Sequence, residues 1–312
     1  MMPQNIGKIG LVGAGAVGSY YGLMLSQGGE DVHFKLRSNY DEVKKDGFNL
    51  IHRSMNNRNE LINSAQIYKD TKDIGPCDWV IIATKATANH ELCTLIEPLV
   101  NHSTSFLTLQ NGMGNVENIE NMFGRERLIV GGLCFTCINR TAPNTIESLL
   151  PGYVQFGQLG EKLSCKAIEL VDAFNKCGVT TRKTDSLEEA LWRKLCWNVP
   201  FNGLSISGGG ITTDQILCNS ELRNRAALLM REIQQAAHAY GIMIEDEFLD
   251  KQFSLTEPMG KYKPSSLIDY LDQKPVEVEA IWGEPLRKGE LKGLNMPELK
   301  MLYQQLLELN LS

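Results

Sequence analysis

The chain has 312 residues, with 31 Lys and Arg against 37 Asp and Glu and a formal net charge of −6. That length accommodates two domains with a sizeable core, and the acidic balance argues against a general affinity for nucleic acid, which needs a basic surface. No apolar stretch approaches the roughly 18–20 residues that span a bilayer, and Met1-Met2-Pro3-Gln4-Asn5 carries no signal-peptide pattern. The eight cysteines are scattered through apolar surroundings, which reads as reduced thiols of a cytoplasmic protein, not as a disulfide framework. The five histidines show no ligand spacing with cysteines or acids, so no metal site is expected.

In chain order, the first predicted strand, Lys8–Val12, runs into Gly13-Ala14-Gly15-Ala16-Val17-Gly18, and a helical pattern follows at once. A strand, a tight GxGxxG turn and a helix make the opening of a dinucleotide-binding unit. There Gly13 permits the turn, Gly15 lets the pyrophosphate approach the backbone, and Gly18 lets helix and strand pack closely. The helix start offers N–H groups and a partial positive charge to phosphates. A glycine turn without a ligand is the alternative. The second strand, Asp31–Leu36, ends in Arg37-Ser38. An acid at this point holds the ribose 2′-OH of NAD, whereas a cation suits the 2′-phosphate of NADP(H). Arg37 therefore favours NADP(H), the alternative being a solvated arginine.

Further strands are predicted at Trp79–Thr84, Ser105–Gln110 and Leu128–Ile138, with helices between most of them. This alternation is the mark of a Rossmann-type, parallel, doubly wound α/β sheet. Ligands of such sheets bind outside the carboxyl ends of the strands. Lys85 and Asn111-Gly112 fall there, though a strand-end lysine and an Asn-Gly turn explain them equally well. Cys134 and Cys137 form a CxxC inside the strand Leu128–Ile138, where alternation points the thiols to opposite faces. Thr145–Phe156 reads as β-rich with a turn at Pro151-Gly152, and Lys162–Cys177 as a helix.

After about residue 183 strand signals fade, and Ser186–Asn198, Ser220–Tyr240, Ser266–Leu271, Glu277–Ile281 and Pro297–Leu309 carry helical periodicity. The expected organisation is an NADP-binding domain over residues 1–183 and an all-α substrate and catalytic domain over residues 184–312. Counting about 100° per residue from Leu191, Lys194 lies at about −60°, Asn198 at about −20° and Asn202 at about +20°. These polar side chains share the stripe of Leu187 and Leu195, away from Glu189 and Arg193. A lysine on that side either faces a polar cleft or snorkels past the stripe. Pro200 is expected to kink the helix before Asn202.

These motifs together resemble the ketopantoate reductase family over nearly the whole length. The matching stretches are GAGAVG at 13–18, Arg37, ATK ending at Lys85, LQNGMGN at 109–115 and PGYVQFGQLGE at 151–161. WRKLCWN at 192–198, Asn202 and KPSSLIDYLDQKPVEVEAIWG at 263–283 complete them. The resemblance implies reduction of 2-dehydropantoate to pantoate in pantothenate biosynthesis, with hydride from NADPH and Lys194 as general acid. It implies that Asn198 and Asn202 line the substrate site, and that Asn111 and Lys85 lie beside the nicotinamide. It implies that Ser265 contacts the substrate carboxylate, and that Glu277 contacts the substrate hydroxyl, Lys194 and the cofactor. Read alone, Ser265 and Ser266 make a helix cap, and Glu277 suits a helix N-terminus. The implied partner is a small 2-oxo acid, and a homodimer is left open. Two positions depart from the family pattern. Gly203 stands where proline usually follows the second asparagine, which bears on Asn202. Trp282 stands where asparagine usually precedes the glycine, which bears on pocket width and substrate choice.

Overall fold

Ten strands form one sheet in the order β4-β3-β9-β8-β7-β6-β1-β2-β5, with β10 beside β9. In chain order they and their helices are β1 (Lys8–Val12), α1 (Ala16–Gln27), β2 (Asp31–Lys35), α2 (Tyr40–Asp46), β3 (Phe48–His52), β4 (Arg58–Ile62) and β5 (Gln66–Tyr68). Then come β6 (Trp79–Ile82), α3 (Asn89–Ile96), β7 (Ser105–Thr108), α4 (Asn115–Phe123), β8 (Ile129–Ala142), β9 (Thr145–Gln158), α5 (Cys165–Lys176) and β10 (Thr181–Lys183). The computed structural model describes residues 5–54, 57–309 and 311. Residues 1–4, read above for a leader, lie outside them.

The doubly wound core is present as expected. β5, β2, β1, β6, β7 and β8 pair in parallel, and their apolar runs are buried on both faces, as at Ile9, Leu11, Val80 and Ile81. The sheet is mixed beyond that core. β9 returns antiparallel to β8, and β3 and β4 pair antiparallel at the far edge. β3, β4, β5 and β10 were not among the predicted strands. They are three to five residues long and rich in polar side chains, as in Arg58-Asn59-Glu60, so they lack a long apolar signal.

Pro151-Gly152 is no hairpin turn but lies within β9. Its pairing skips from Phe135↔Tyr153 to Cys137↔Leu150, so two residues of β9 oppose one of β8. This is a β-bulge. Gly152 takes φ +55, and a Cβ there would stand 1.7 Å from the Phe135 carbonyl oxygen. The additional residue lies in β9, opposite the stretch of β8 that carries Cys134 and Cys137. Both are half-buried, and neither forms a disulfide.

The chain divides into two units, Met1–Gln110 with Asn115–Leu187, and Asn111–Gly114 with Glu188–Ser312. The second is helical: α6 (Leu187–Ser207), α7 (Thr213–Cys218), α8 (Ser220–Ala239), α9 (Asp246–Thr256), α10 (Ser265–Leu271), α11 (Glu284–Leu291) and α12 (Pro297–Glu308). α6 continues nine residues past its expected end at Asn198. Where a short helix was expected at Glu277–Ile281, the chain makes a π-helical turn, Glu279–Gly283. Trp192, Phe201, Leu229, Trp282 and Leu302 are among the buried core of this unit. Among the described residues no helix is long and apolar enough to cross a membrane, and no group of His, Cys, Asp and Glu is placed to hold a metal ion.

The β3–β4 hairpin carries a buried titratable group. His52 is 4% exposed, and burial pushes its pKa down, with Arg58 adding to this and Glu60 opposing it. Below its ordinary value of 6.5 the unfolded chain therefore binds a proton that the folded chain refuses. Stability conferred by neutral His52 is lost as pH falls from 6.5 toward the lowered folded value. His52→Gln is expected to flatten the acid limb of the stability profile, measured as urea midpoints between pH 7 and pH 5.

Candidate active site

Four neighbouring parallel strands end level with one another. Lys35, Val12, Ile82 and Thr108 are register partners across β2, β1, β6 and β7. Just beyond this row the chain supplies Arg37, the glycine turn, Lys85 and Gln110. The segments singled out from the sequence therefore share the carboxyl edge of the sheet, where doubly wound folds bind ligands.

The three motif glycines do different things. Gly13 has φ +88, and a Cβ there would meet the backbone of Ala83 and Thr84 at 2.1–2.3 Å. A Cβ on Gly18 would stand 2.3 Å from the Gly13 carbonyl oxygen and 2.9 Å from Ala83 Cβ. Both are required by the protein's own packing. At Gly15 the nearest atom would be 3.9 Å away, so its lack of a side chain leaves space on the open side of the turn. Gly15 is the N-cap of α1, and no side chain caps that helix. An open backbone at an uncapped helix start fits a dinucleotide pyrophosphate. Ala14 belongs to the buried core, and Ala16 and Val17 pack against it, holding the turn on the sheet.

Arg37 is exposed just past β2. Lys35, two residues back, has its pKa lowered by burial and then by the positive charge of Arg37. Two cations crowd this strand end, an arrangement that an anionic group relieves. Lys85 is half-buried and begins a single 3₁₀ turn, Ala86–Ala88, after β6.

The first unit also contains an amide chain that the sequence reading did not find. Gln110 Nε2 donates to Asn89 Oδ1 at 2.8 Å, and Asn89 Nδ2 donates to Asn115 Oδ1 at 3.1 Å. Gln110 also accepts from Thr108 and donates to Thr84. Asn89 thus ties together the two residues that flank Asn111–Gly114. Its partners lie 21 and 26 positions away in sequence, beyond any local spacing rule.

In the helical unit, Lys194 is half-buried and its Nζ donates to Asn111 Oδ1 at 2.9 Å. The loop that brings Asn111 is seated on the π-turn. Met113 N–H donates to the Ala280 carbonyl at 2.8 Å. That carbonyl is open because Glu284 N–H goes to Glu279 and Pro285 has no N–H. Gly112 sits at φ +84 where a Cβ would be 2.3 Å from the same oxygen, so a side chain there would lift the loop off.

Asn198 and Asn202 follow Lys194 on α6 and are buried, at 9% and 1% exposure. Pro200 does not end the helix. Asn202 Nδ2 donates to the Asn198 carbonyl at 3.1 Å, and its Oδ1 accepts from Ser266 N–H at 2.9 Å. Asn202 thereby caps α10 from outside, since Pro264 is that helix's N-cap and supplies no side-chain cap. Neither serine is the cap that the sequence suggested. Ser265 is exposed at the first position of α10, and Ser266 is buried at the second. Glu277 is buried at 8% exposure ahead of the π-turn. A carboxylate so placed needs hydrogen-bond or charge partners.

Comparison with known proteins covers the same residues. The family model described as ketopantoate reductase PanE/ApbA matches residues 9–161, and its C-terminal counterpart matches residues 186–310. A 2-dehydropantoate 2-reductase of Nostoc sp. is 34% identical over 308 residues, 97% of this chain and 95% of that protein. A crystal structure of 2-dehydropantoate 2-reductase from Geobacter metallireducens GS-15 is 38% identical with a TM-score of 0.92, covering 96% of this chain and 99% of that one. A ternary structure of D-mandelate dehydrogenase with NADH and anilino(oxo)acetate has a TM-score of 0.88 at 24% identity, covering 98% of this chain and all of that one, and shares the fold.

Two outcomes follow from this packing. Gly18→Ala is expected to cost about 1–3 kcal/mol through overpacking, while Gly15→Ala stays within about 0.5 kcal/mol of wild type, both read from urea unfolding. Asn202→Ala strands the buried Ser266 N–H, and a loss of about 1–3 kcal/mol in the same assay is expected.

Proposed function

Because the chain belongs to the ketopantoate reductase family, an oxidoreductase family, we propose that it reduces 2-dehydropantoate to pantoate with NADPH, a step of pantothenate biosynthesis. The observation that carries this reading is the hydrogen bond from Lys194 Nζ to Asn111 Oδ1 at 2.9 Å. A free ammonium on a four-carbon stem is a poor catalyst because it samples many rotamers. Here one N–H is anchored by an amide oxygen, and an ammonium has three donors, which leaves others for a substrate oxygen.

Bound NADPH supplies the hydride. As the ketone carbon accepts it, negative charge builds on the carbonyl oxygen. Lys194 stabilises that charge and then delivers its proton to the oxygen. Glu277, a buried carboxylate, serves to keep Lys194 protonated, since a nearby negative charge raises a lysine pKa. It also takes part in binding the substrate hydroxyl and the cofactor. Asn198 and Asn202 line the substrate site, and Ser265 takes the substrate carboxylate. Asn202 acts partly through the start of α10, which it caps. On the cofactor, Gly15 admits the pyrophosphate, Arg37 takes the 2′-phosphate, and Lys85 and Asn111 lie toward the nicotinamide. The eight cysteines carry no disulfide, which accords with a reducing cytoplasm.

The test is NADPH oxidation by the purified protein with 2-dehydropantoate, with NADH and other branched 2-oxo acids alongside. Lys194→Ala is expected to lower kcat by about 10²–10⁴-fold while NADPH affinity stays within about twofold. Near-normal turnover in that variant contradicts the role given to Lys194. Arg37→Ala is expected to weaken NADPH binding by about tenfold or more and to leave NADH binding unchanged. Equal losses for both cofactors assign Arg37 elsewhere.

A further inference from the structure

α6 carries Lys194 and Asn198 before Pro200 and Asn202 after it. Proline has no N–H, so the carbonyl of Cys196 loses its helical donor, and the pyrrolidine ring crowds that turn. The helix runs on through this point, so its course there is set by other contacts. Two side chains reach carbonyls of this turn. Asn202 Nδ2 donates to Asn198, and Trp282 Nε1 donates to Val199 at 2.9 Å.

Trp282 is fully buried and stands in the π-turn Glu279–Gly283. Its indole reaches Val199 only because residue 203 has no side chain. A Cβ on Gly203 would lie 2.8 Å from Trp282 Nε1 and 2.6 Å from Leu302 Cδ2. Gly203 and Trp282 are the two positions at which the chain departs from the family pattern, and they touch each other. The same five-residue π-turn seats the Asn111 loop through the Ala280 carbonyl. Its second residue thus seats the loop that holds Lys194, and its fourth binds the α6 turn between Asn198 and Asn202.

We infer that Trp282 is a positioning residue, which through the Val199 carbonyl and the bare face of Gly203 sets the course of α6 past Pro200 and so the placement of Asn198 and Asn202 toward the 2-oxo acid. This rests on the reductase reading above. Trp282 contacts no substrate in this account. The indole N–H and the absence of a Cβ at 203 act as one unit.

The experiment combines steady-state kinetics, NADPH binding and hydrogen exchange on Trp282→Phe, Gly203→Ala and the double variant. Trp282→Phe keeps an aromatic ring and removes the donor. About a tenfold rise in KM for the 2-oxo acid is expected, with kcat and the NADPH Kd each changing by less than about threefold. Gly203→Ala is expected to show the same split, and the double variant to be no worse than the poorer single, because the two changes break one contact. Exchange should quicken about tenfold or more in peptides across residues 196–207 and stay unchanged in the sheet unit. Wild-type KM in Trp282→Phe with only a lower Tm overturns the inference, as does additive loss in the double variant. If the wild-type protein binds NADPH but reduces no 2-oxo acid, the reductase reading fails, and the exchange data alone decide whether Trp282 sets the course of α6.

Discussion

An ammonium drawn into the side of a helical core has to be given an oxygen, and much of the helical unit is arranged around that need. Lys194 lies half-buried at the margin of the stripe that α6 buries, beside Leu187 and Leu191, where a cation without an acceptor is costly. The acceptor is Asn111, delivered by a loop that rests on the Ala280 carbonyl. That carbonyl is available because the helix widens to a π-turn and the next residue able to reach it is Pro285. Gly112 is glycine because any side chain would push against the same oxygen. The seat of this one loop therefore joins a glycine to a π-turn and a proline that lie far from it in sequence. π-turns are frequent at functional sites, and here the reason is geometrical.

Much of this was legible in the chain. The GxGxxG turn, the strand ends at Arg37, Lys85 and Asn111, and the helical face of Lys194 and Asn198 follow from spacing alone. The structure groups the glycine turn, Arg37 and Lys85 on one sheet edge, and Asn111, Lys194 and Asn198 in the helical unit. What escaped had no local signature. β4 is a polar edge strand held by pairing with β3, Pro151-Gly152 became a bulge because β8 continues opposite it, and Asn89 finds partners just past β7 and at the start of α4. Turn chemistry also misled at Ser265 and Ser266, where a tertiary contact from Asn202 does the capping. Sequence pattern predicts what a residue can do with near neighbours, and long-range partners decide among those options.

The departures from the family pattern carry a similar lesson. Gly203 and Trp282 read separately as a lost rigid element and an oversized side chain. Side by side they are a matched pair, with the large indole lying where the small residue leaves room. A substitution pattern that looks like two defects in a linear comparison is one packing solution in space.

The assignment of Asn111–Gly114 to the helical unit, with Gln110 and Asn115 remaining in the sheet unit, has a topological consequence. The polypeptide passes from one unit to the other three times, twice within six residues and once after Leu187. No single cut separates the units cleanly. A fragment made from residue 188 onward retains Lys194, Pro200 and the π-turn but leaves behind the amide that Lys194 binds. The two units are thus interlaced by four residues, and recombining halves from different reductases would have to exchange that short segment along with the helices.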